Sequence, residues 1–239
     1  MRWFLIFLLL NVVMGVHAKV SVQLNHMVLD FADNPRLTDV LAGINQQQSW
    51  YWPATALYRL DTSLAEQQRR NIVTQLDFVA LSLNPTSALK VRSLIAQIKQ
   101  WQLADRVVMP IDYDAARVNL NNNPRFENGA YRLELMTRPN SAIVFGLINQ
   151  PINLQLDQSQ CAREYIEGLN QDLANPDYIY IVQPDGVIKK IGIAYWNSKC
   201  EDIMPGSQIY LGLPESQFFK HNTQLNEQIA QLATSKLGL

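Results

Sequence analysis

Cysteine, histidine and charged residues are all scarce in this chain of 239 residues. It has two cysteines and three histidines, and 17% of its residues are charged. His17 lies in the apolar N-terminal segment, and only His26 and His221 remain, at predicted turn or helix-surface positions. A histidine-based acid–base pair or metal site is therefore not expected. CxxC, GxSxG, HExxH and phosphate-binding glycine motifs are also missing, so no catalytic residue, cofactor or metal is predicted.

The charge balance gives no electrostatic reason to expect nucleic acid or an anionic membrane as the partner. Lys and Arg number 20 and Asp and Glu 21, for a net charge of -1. Proteins that bind polyanions over a broad surface generally carry an excess of cations. Asn and Gln are abundant instead. Polar uncharged surfaces suit carbohydrate contact, although they also suit plain solvation.

The N-terminal segment is typical of a secretory signal peptide. Arg2 precedes an almost wholly apolar run, and Val16-His17-Ala18 places small residues at the -3 and -1 positions of a cleavage site. The run is short for a bilayer, since a transmembrane helix needs roughly 20 apolar residues. The alternative is a buried N-terminal helix. We predict a signal peptide at 1–18, export to the periplasm of a Gram-negative-type cell, and no transmembrane span.

The two cysteines, Cys161 and Cys200, remain after cleavage. In an oxidising compartment an even pair favours a disulfide, which in the chain-entropy description would stabilise the fold by roughly 4 kcal/mol. Two unpaired thiols are the alternative. We predict the bridge.

The first half alternates strand and helix signals. Residues 20–31 predict a hairpin with a turn at Asn25-His26, Asn34-Pro35 predicts a helix start, and 56–60 predicts another strand. Ser63-x-x-Glu66 is a capping-box pattern, and Asn84-Pro85 separates two apolar helical repeats, which predicts an antiparallel helical hairpin. We predict a first β-grasp domain at 19–138 with this hairpin inserted at 63–104.

The second half repeats this order of strands and helix without an inserted helical hairpin. Strands are predicted at 143–148, 178–182, 187–193 and 209–213, and a helix at 161–169. Pro184-Asp185-Gly186 is a strong turn signal between two of the strands. This weak internal repeat predicts an α+β fold with a second β-grasp domain at 139–213.

The tail at 214–239 is predicted to be an amphipathic helix. Phe218, Leu225, Ile229 and Leu232 share one helical face in a glutamine-rich segment. That stripe could pack on its own domain, or it could contact a partner or a second copy of the chain.

Few residues are candidates for chemistry. Asp112, Asp114 and Glu127 could form the carboxylate pair of a glycosidase, although acidic residues so close together usually belong to a solvated loop. Arg106 and Arg117 flank that acidic segment and could bind a uronic acid carboxylate, or form an internal pair with Asp. Trp52 and Trp196 could stack on sugar rings or lie in the core. The predicted binding residues are Arg106, Arg117, Asp114, Trp52 and Trp196.

Several sequence blocks resemble the GfcC-like capsule biosynthesis proteins. The specific ones are 144–148 with Pro151, Pro184-Asp185-Gly186, Ala194-Tyr195-Trp196-Asn197 and the segment 204–213. The first half agrees more loosely through Pro35-Arg36-Leu37, Trp50 to Pro53, Arg106, and Asp114 with Arg117 before Asn123-Pro124. The cysteine pair is a departure from the family pattern.

The resemblance implies two β-grasp domains similar to the SLBB-like ligand-binding modules of outer-membrane polysaccharide export proteins. It also implies a periplasmic accessory role in capsule or exopolysaccharide assembly, with no known reaction. The implied partners are an acidic polysaccharide or export-channel proteins. A polysaccharide-modifying enzyme that uses the acidic residues near Asp114 is the alternative, and a structural spacer without a ligand is a third possibility.

Overall fold

The computed structural model describes residues 20–44, 47–157, 160–167, 169, 177–215 and 220–238. The predicted signal peptide and Phe218 lie outside these residues. The strands are β1 (Val20–Leu24), β2 (Met27–Phe31), β3 (Ala56–Arg59), β4 (Asp105–Val107), β5 (Gly129–Glu134), β6 (Ser141–Gly146), β7 (Ile152–Gln155), β8 (Tyr178–Val182), β9 (Ile188–Gly192) and β10 (Gln208–Leu211). The α-helices are α1 (Leu37–Leu41), α2 (Leu64–Leu81), α3 (Pro85–Gln100), α4 (Tyr113–Val118), α5 (Ala162–Glu167) and α6 (Lys220–Ala233).

The ten strands form two sheets with the same topology. The orders are β2-β1-β5-β3-β4 and β7-β6-β10-β8-β9. In the first sheet, β1 pairs antiparallel with β2 and parallel with β5, and β5 pairs antiparallel with β3. In the second sheet, β6 pairs in the same way with β7 and β10, and β10 pairs antiparallel with β8. This confirms the α+β fold with two β-grasp-like units. We call the β1–β5 sheet with α1 and α4 the first unit, and the β6–β10 sheet with α5 the second unit.

The predicted turn between β1 and β2 is confirmed, but the predicted start of α1 is wrong. Asn25 has a φ of 51°, the left-handed conformation that a tight turn requires. Helix α1 begins after Arg36, which occupies the N-cap position. The Asn34 side chain instead donates hydrogen bonds to the Phe126 carbonyl oxygen (2.8 Å) and to Asn128 Oδ1 (2.9 Å). The Asn34 side chain, which the sequence predicted to cap α1, therefore binds residues that are distant along the chain.

The helical hairpin, α2 and α3, connects β3 to β4. The N-cap of α3 is as predicted, since Asn84 Oδ1 accepts a hydrogen bond from the Ser87 amide at 2.9 Å. The predicted capping box at Ser63 is wrong, because the Ser63 side chain makes no cap hydrogen bond. Asp105 of β4 accepts from the Leu64 and Ala65 amides at 3.0 and 2.6 Å instead.

The helical hairpin packs on the second sheet rather than on the first. Side chains from α2, α3 and α6 form one buried cluster with Phe145, Tyr180 and Tyr210 from one face of that sheet. Gln97 of α3 is buried; its amide donates to the Gly146 carbonyl oxygen (3.0 Å) and its carbonyl accepts from the Gly146 amide (3.1 Å). The opposite face of the second sheet is covered by α5. The first sheet has its own core with α1 and α4.

The tail helix α6 is part of the molecule's own core. Leu225, Ile229 and Leu232 are fully buried in the cluster that joins the helical hairpin to the second sheet. The prediction that this stripe contacts a partner or a second copy is therefore wrong, because its own chain covers it. After α6 the chain returns to the first unit, where the Lys236 carbonyl oxygen accepts a hydrogen bond from the Tyr58 hydroxyl at 3.0 Å.

Among the described residues, no helix combines the length and the apolar composition that crossing a membrane requires. The same residues contain no group of three or more His, Cys, Asp or Glu side chains placed to hold a metal ion.

Candidate functional site

A cleft of about 350 Å³ lies where the two units meet. Its lining comes from the segment before β3, the segment at and after β4, and the turn between β8 and β9. The lining residues with polar or aromatic side chains are Trp52, Thr55, Arg106, Asp112 and Asp185. Ligand pockets are commonly about 300–1,000 Å³. This cleft therefore has room for a small ligand or for one segment of a long one.

Arg106 joins the two units at the cleft. It lies in β4 opposite Tyr58 of β3, and its Nη1 donates to the Tyr58 hydroxyl at 3.2 Å. Its Nη2 donates to the carbonyl oxygen of Pro184, in the turn of the second unit, at 2.9 Å. A guanidinium has five N–H donors. These contacts use two of them and leave others for a ligand.

Tyr58 fixes the orientation of that guanidinium. The Arg106 guanidinium lies 5.2 Å from the centroid of the Tyr58 ring, and the ring itself is buried. Burial raises the pKa of the Tyr58 hydroxyl more than the neighbouring Arg106 lowers it. The hydroxyl therefore stays protonated, and it donates to the Lys236 carbonyl oxygen while it accepts from Arg106. The sequence predicted an internal Arg–Asp pair as the alternative, whereas these partners are a hydroxyl and a carbonyl.

Trp52 and Thr55 lie on the wall of the cleft next to β3. A short 3₁₀-helix at Trp52–Ala54 holds them, and the Thr55 amide donates to the Trp52 carbonyl oxygen at 3.0 Å. Thr55 is only 4% exposed, and its hydroxyl has no hydrogen-bond partner in the structure. A buried hydroxyl in that state is costly unless something else satisfies it. Sequence reasoning missed Thr55, because an isolated threonine before a strand carries no signal of this kind.

Asp112 and Asp185 provide acceptors on the cleft's other sides. Asp112 Oδ1 accepts from the Ala115 amide at 3.0 Å and caps α4, so the predicted acidic loop is in fact a helix start. Asp185 Oδ1 accepts from the Val187 amide at 2.9 Å within the β8–β9 turn. Each carboxylate keeps further lone pairs for hydroxyl donors. Carboxylates, a guanidinium and an indole around one cleft suit a hydroxyl-rich ligand such as a sugar.

The other predicted binding residues lie outside this cleft. Asp114 lines a neighbouring cleft of about 260 Å³ that shares Trp52 with the first. Arg117 is exposed on α4, with its guanidinium 5.6 Å from the centroid of the Tyr113 ring. Trp196 is 69% exposed on the second unit and contacts the edge of the Tyr178 ring. The structure thus brings Trp52 and Arg106 together, places Asp114 beside them, and separates Arg117 and Trp196.

The acidic residues of the enzyme alternative do not converge. Asp112 and Asp114 line two different clefts, and neither lining includes Glu127. The Glu127 side chain is 86% exposed and pairs with Arg59 at 3.6 Å. Glycosidases need two carboxylates facing one bond, and these three side chains do not provide that arrangement.

The predicted disulfide partners are neighbours. Cys161 and Cys200 are both free thiols in the structure, the first buried and the second exposed. A hydrogen bond with Cys161 is the main reason why the pKa of the Cys200 thiol rises to about 11. The two side chains are therefore close to each other, and the bridge stays a prediction.

A larger cavity, of about 460 Å³, lies on the second unit between the 138–140 linker and Tyr165. Its lining includes none of the described buried side-chain atoms that lack a hydrogen-bond partner. The cleft at Arg106 does include such an atom, and both units contribute to its wall. It is therefore the better candidate site.

Comparison with known proteins agrees with this architecture. Residues 16–138 match the family described as "Capsule biosynthesis GfcC, N-terminal", and residues 150–238 match "Capsule biosynthesis GfcC C-terminal". The chain is also 29% identical over 223 residues to "Uncharacterized protein YjbG" of Escherichia coli (strain K12), covering 92% of this chain and 86% of that protein. The chain therefore belongs to the GfcC capsule biosynthesis family.

Proposed function

We propose that the protein is a periplasmic accessory factor in the assembly or export of a capsule or exopolysaccharide, and that it binds a segment of that polysaccharide in the cleft at Arg106. Membership of a capsule biosynthesis family supports the process. The signal-peptide pattern at 1–18 supports the compartment. One structural observation carries the choice of site: residues of both units line this cleft, and Arg106 of the first unit contacts Pro184 of the second there.

The cleft offers complementary contacts to a saccharide. Trp52 provides an aromatic surface on which a sugar ring can stack, and Arg106 provides a planar fork for a carboxylate or for vicinal hydroxyls. Asp112 and Asp185 accept hydrogen bonds from hydroxyls. An acidic sugar would place its carboxylate at Arg106 and away from the two aspartates. A carboxylate of an export-channel protein is the other ligand that Arg106 could take.

Binding at this position would also hold the two units together. The Pro184 carbonyl that Arg106 contacts belongs to the second unit, whereas Trp52, Thr55 and Arg106 belong to the first. A ligand that touches Asp185 as well as Trp52 therefore spans the junction between the units.

The test is a calorimetric titration with oligosaccharides cut from the producing cell's own capsule or exopolysaccharide. Trp52→Ala and Arg106→Gln are expected to weaken binding about tenfold or more, which corresponds to the loss of one or two good contacts. Arg117→Gln and Trp196→Ala are the matched controls, since they change the same kinds of side chain outside the cleft. Equal losses in the controls, or no binding by the unmodified protein, would refute the proposed site.

The same preparation addresses the enzyme alternative. Incubation with intact polysaccharide should release no new reducing ends. Release that disappears in Asp114→Asn would replace the binding function with hydrolysis.

A further inference from the structure

The tip of the helical hairpin is apolar and uncharged. From Phe78 to Leu89 the chain contains no Asp, Glu, Lys or Arg. Its exposed large apolar side chains are Phe78 (69%), Leu81 (77%), Leu83 (39%) and Leu89 (63%). Exposed apolar side chains that lie together, unlike scattered ones, usually mark an interaction site.

This tip is the turn end of the helical hairpin. On α2, Gln75 makes a side-chain hydrogen bond to Gln228 of α6 at 3.2 Å. On α3, the Ser93 hydroxyl donates to the Ile148 and Asn149 carbonyl oxygens at 2.8 and 2.9 Å. Beyond Gln75, α2 continues to Leu81, a further rise of about 9 Å. The exposed apolar side chains therefore lie about one to two helical turns from these contacts with α6 and the second unit.

The helical hairpin is also positively charged, although the whole chain is not. Residues 63–101 contain five Lys or Arg and two Asp or Glu, a net charge of +3. The rest of the chain has 20 − 5 = 15 cations and 21 − 2 = 19 anions, a net charge of -4. Arg92 is exposed and Lys90 half-buried immediately after the uncharged stretch, and Asp77 is exposed immediately before it. An apolar tip on a helical hairpin with a net positive charge matches a bilayer surface with anionic headgroups.

We propose that the tip of the helical hairpin, residues 78–89, inserts into the surface of an anionic lipid bilayer. Phe78, Leu81 and Leu89 enter the boundary between headgroups and acyl chains, and Lys90 and Arg92 contact the anionic headgroups. A polysaccharide would instead be recognised by polar planar and aromatic side chains, of which the tip has only Phe78 and Asn84. A second copy would bring another charge of +3 against the first.

The test is flotation of residues 19–239 with lipid vesicles. Residues 1–18 are left out because they match a signal peptide whose apolar run would itself bind lipid. The chain should float with vesicles of phosphatidylglycerol and phosphatidylethanolamine, and far less with pure phosphatidylcholine. Phe78→Asp with Leu81→Asp should lower the bound fraction about tenfold or more.

The matched control is Val118→Asp with Leu120→Asp, which removes two equally exposed apolar side chains (86% and 66%) from the first unit and adds the same charge. It should bind vesicles like the unmodified chain. Lys90→Gln with Arg92→Gln should remove the preference for anionic vesicles. Melting temperatures of all variants identify any that fail to fold.

Three results would overturn the proposal. One is the absence of flotation with anionic vesicles by the unmodified chain. Another is an equal loss of flotation in the Val118/Leu120 control. The third is a dimer in sedimentation analysis that the Phe78/Leu81 change abolishes while vesicle binding persists, which would assign the tip to a second copy of the chain.

Discussion

A buried polar group without a hydrogen-bond partner costs a protein about 1–3 kcal/mol, and Thr55 keeps such a hydroxyl at the cleft. Valine has nearly the same shape as threonine. Thr55→Val is therefore expected to leave the free energy of unfolding unchanged or to raise it by about 1 kcal/mol. Urea denaturation measures this effect. A marked loss of stability would mean that the hydroxyl is satisfied within the protein.

Gly146 is required by close backbone contact. Its φ is 126°, and a Cβ there would lie 2.2 Å from the Leu211 carbonyl oxygen. Both strands would have to move, and the paired hydrogen bonds between Gln97 and Gly146 would be broken. Gly146→Ala is expected to lower the free energy of unfolding by about 3 kcal/mol or more.

The control for that change is Gly43→Ala, because a Cβ at Gly43 meets no atom within 4 Å. Its free energy of unfolding should stay within about 0.5 kcal/mol of the original. Similar losses in both variants, measured by urea denaturation, would contradict the steric argument.

At the scale of elements, α2 is capped from a distance. Asp105 accepts from the first two amides of the helix, and the Ser63 side chain accepts from neither. Burial would raise the pKa of Asp105, but hydrogen bonds from Thr62 and from these amides lower it overall. Asp105→Ala should destabilise the protein by about 1–2 kcal/mol, whereas Ser63→Ala should have little effect. Thermal melting of the two variants checks this prediction. A larger loss of stability in Ser63→Ala than in Asp105→Ala would support the capping box that the sequence predicted.

A polar network holds α6 against the second unit. Glu215 accepts from the Tyr180 hydroxyl at 2.6 Å and from the Thr223 hydroxyl at 3.0 Å, and it forms an ion pair with Lys190. The Asn226 amide donates to the same carboxylate at 3.0 Å. Burial would raise the pKa of Glu215, but the bonds from Lys190 and the other donors outweigh it and lower the pKa below its usual value.

That lowered pKa predicts a loss of stability in acid. An unfolded glutamate titrates near pH 4.3, so the contribution of Glu215 is complete above about that pH and is lost as the pH falls through the lower folded value. Glu215→Gln should lower the free energy of unfolding by about 1–3 kcal/mol at neutral pH and flatten the decline below about pH 4. Melting curves across pH measure both.

Glu167→Gln is the control, since Glu167 belongs to an exposed pair with Arg163. Exposed pairs contribute about 0–1 kcal/mol, so this variant should follow the original pH profile. A steeper acid decline in Glu215→Gln than in the original chain would contradict the assignment.

Element types could be predicted from the sequence because alternation and helical spacing depend on local residues. The turn at Asn25 and the cap at Asn84 are examples in which the local signal agreed with the structure. The signal at Asn34 failed because Phe126 and Asn128 bind its side chain, and the signal at Ser63 failed because Asp105 caps α2 instead. Strand β7 was missed because four alternating residues are too few to give a clear strand signal, and its pairing with β6 defines it.

At the scale of the whole molecule, one connection distinguishes the two units. The helical hairpin joins β3 to β4, whereas the turn at Pro184-Asp185-Gly186 joins β8 to β9. The helical hairpin covers the second sheet, and the chain end returns to the first unit at Tyr58. The periodicity of α6 showed which of its faces is apolar, but not that the hairpin and the second sheet would cover it.

The candidate site could be predicted only in part for the same reason. Arg106 and Trp52 are residue types that the sequence marks as ligand-binding, and they share the cleft. Thr55 adjoins Trp52 along the chain but carries no sequence signal of its own, and Asp185 joined them only through the packing of the second unit against the first. Trp196 has the same chemistry as Trp52 but lies beside Tyr178, at the start of β8.

The most direct test is amide hydrogen exchange with and without saturating capsular oligosaccharide, read by mass spectrometry. The account predicts increased protection in residues 52–58, 105–112 and 183–187 together, because these segments form the cleft from both units, and no change in residues 194–198 around Trp196. Protection confined to 194–198, or absent from all of these segments at saturation, would contradict it.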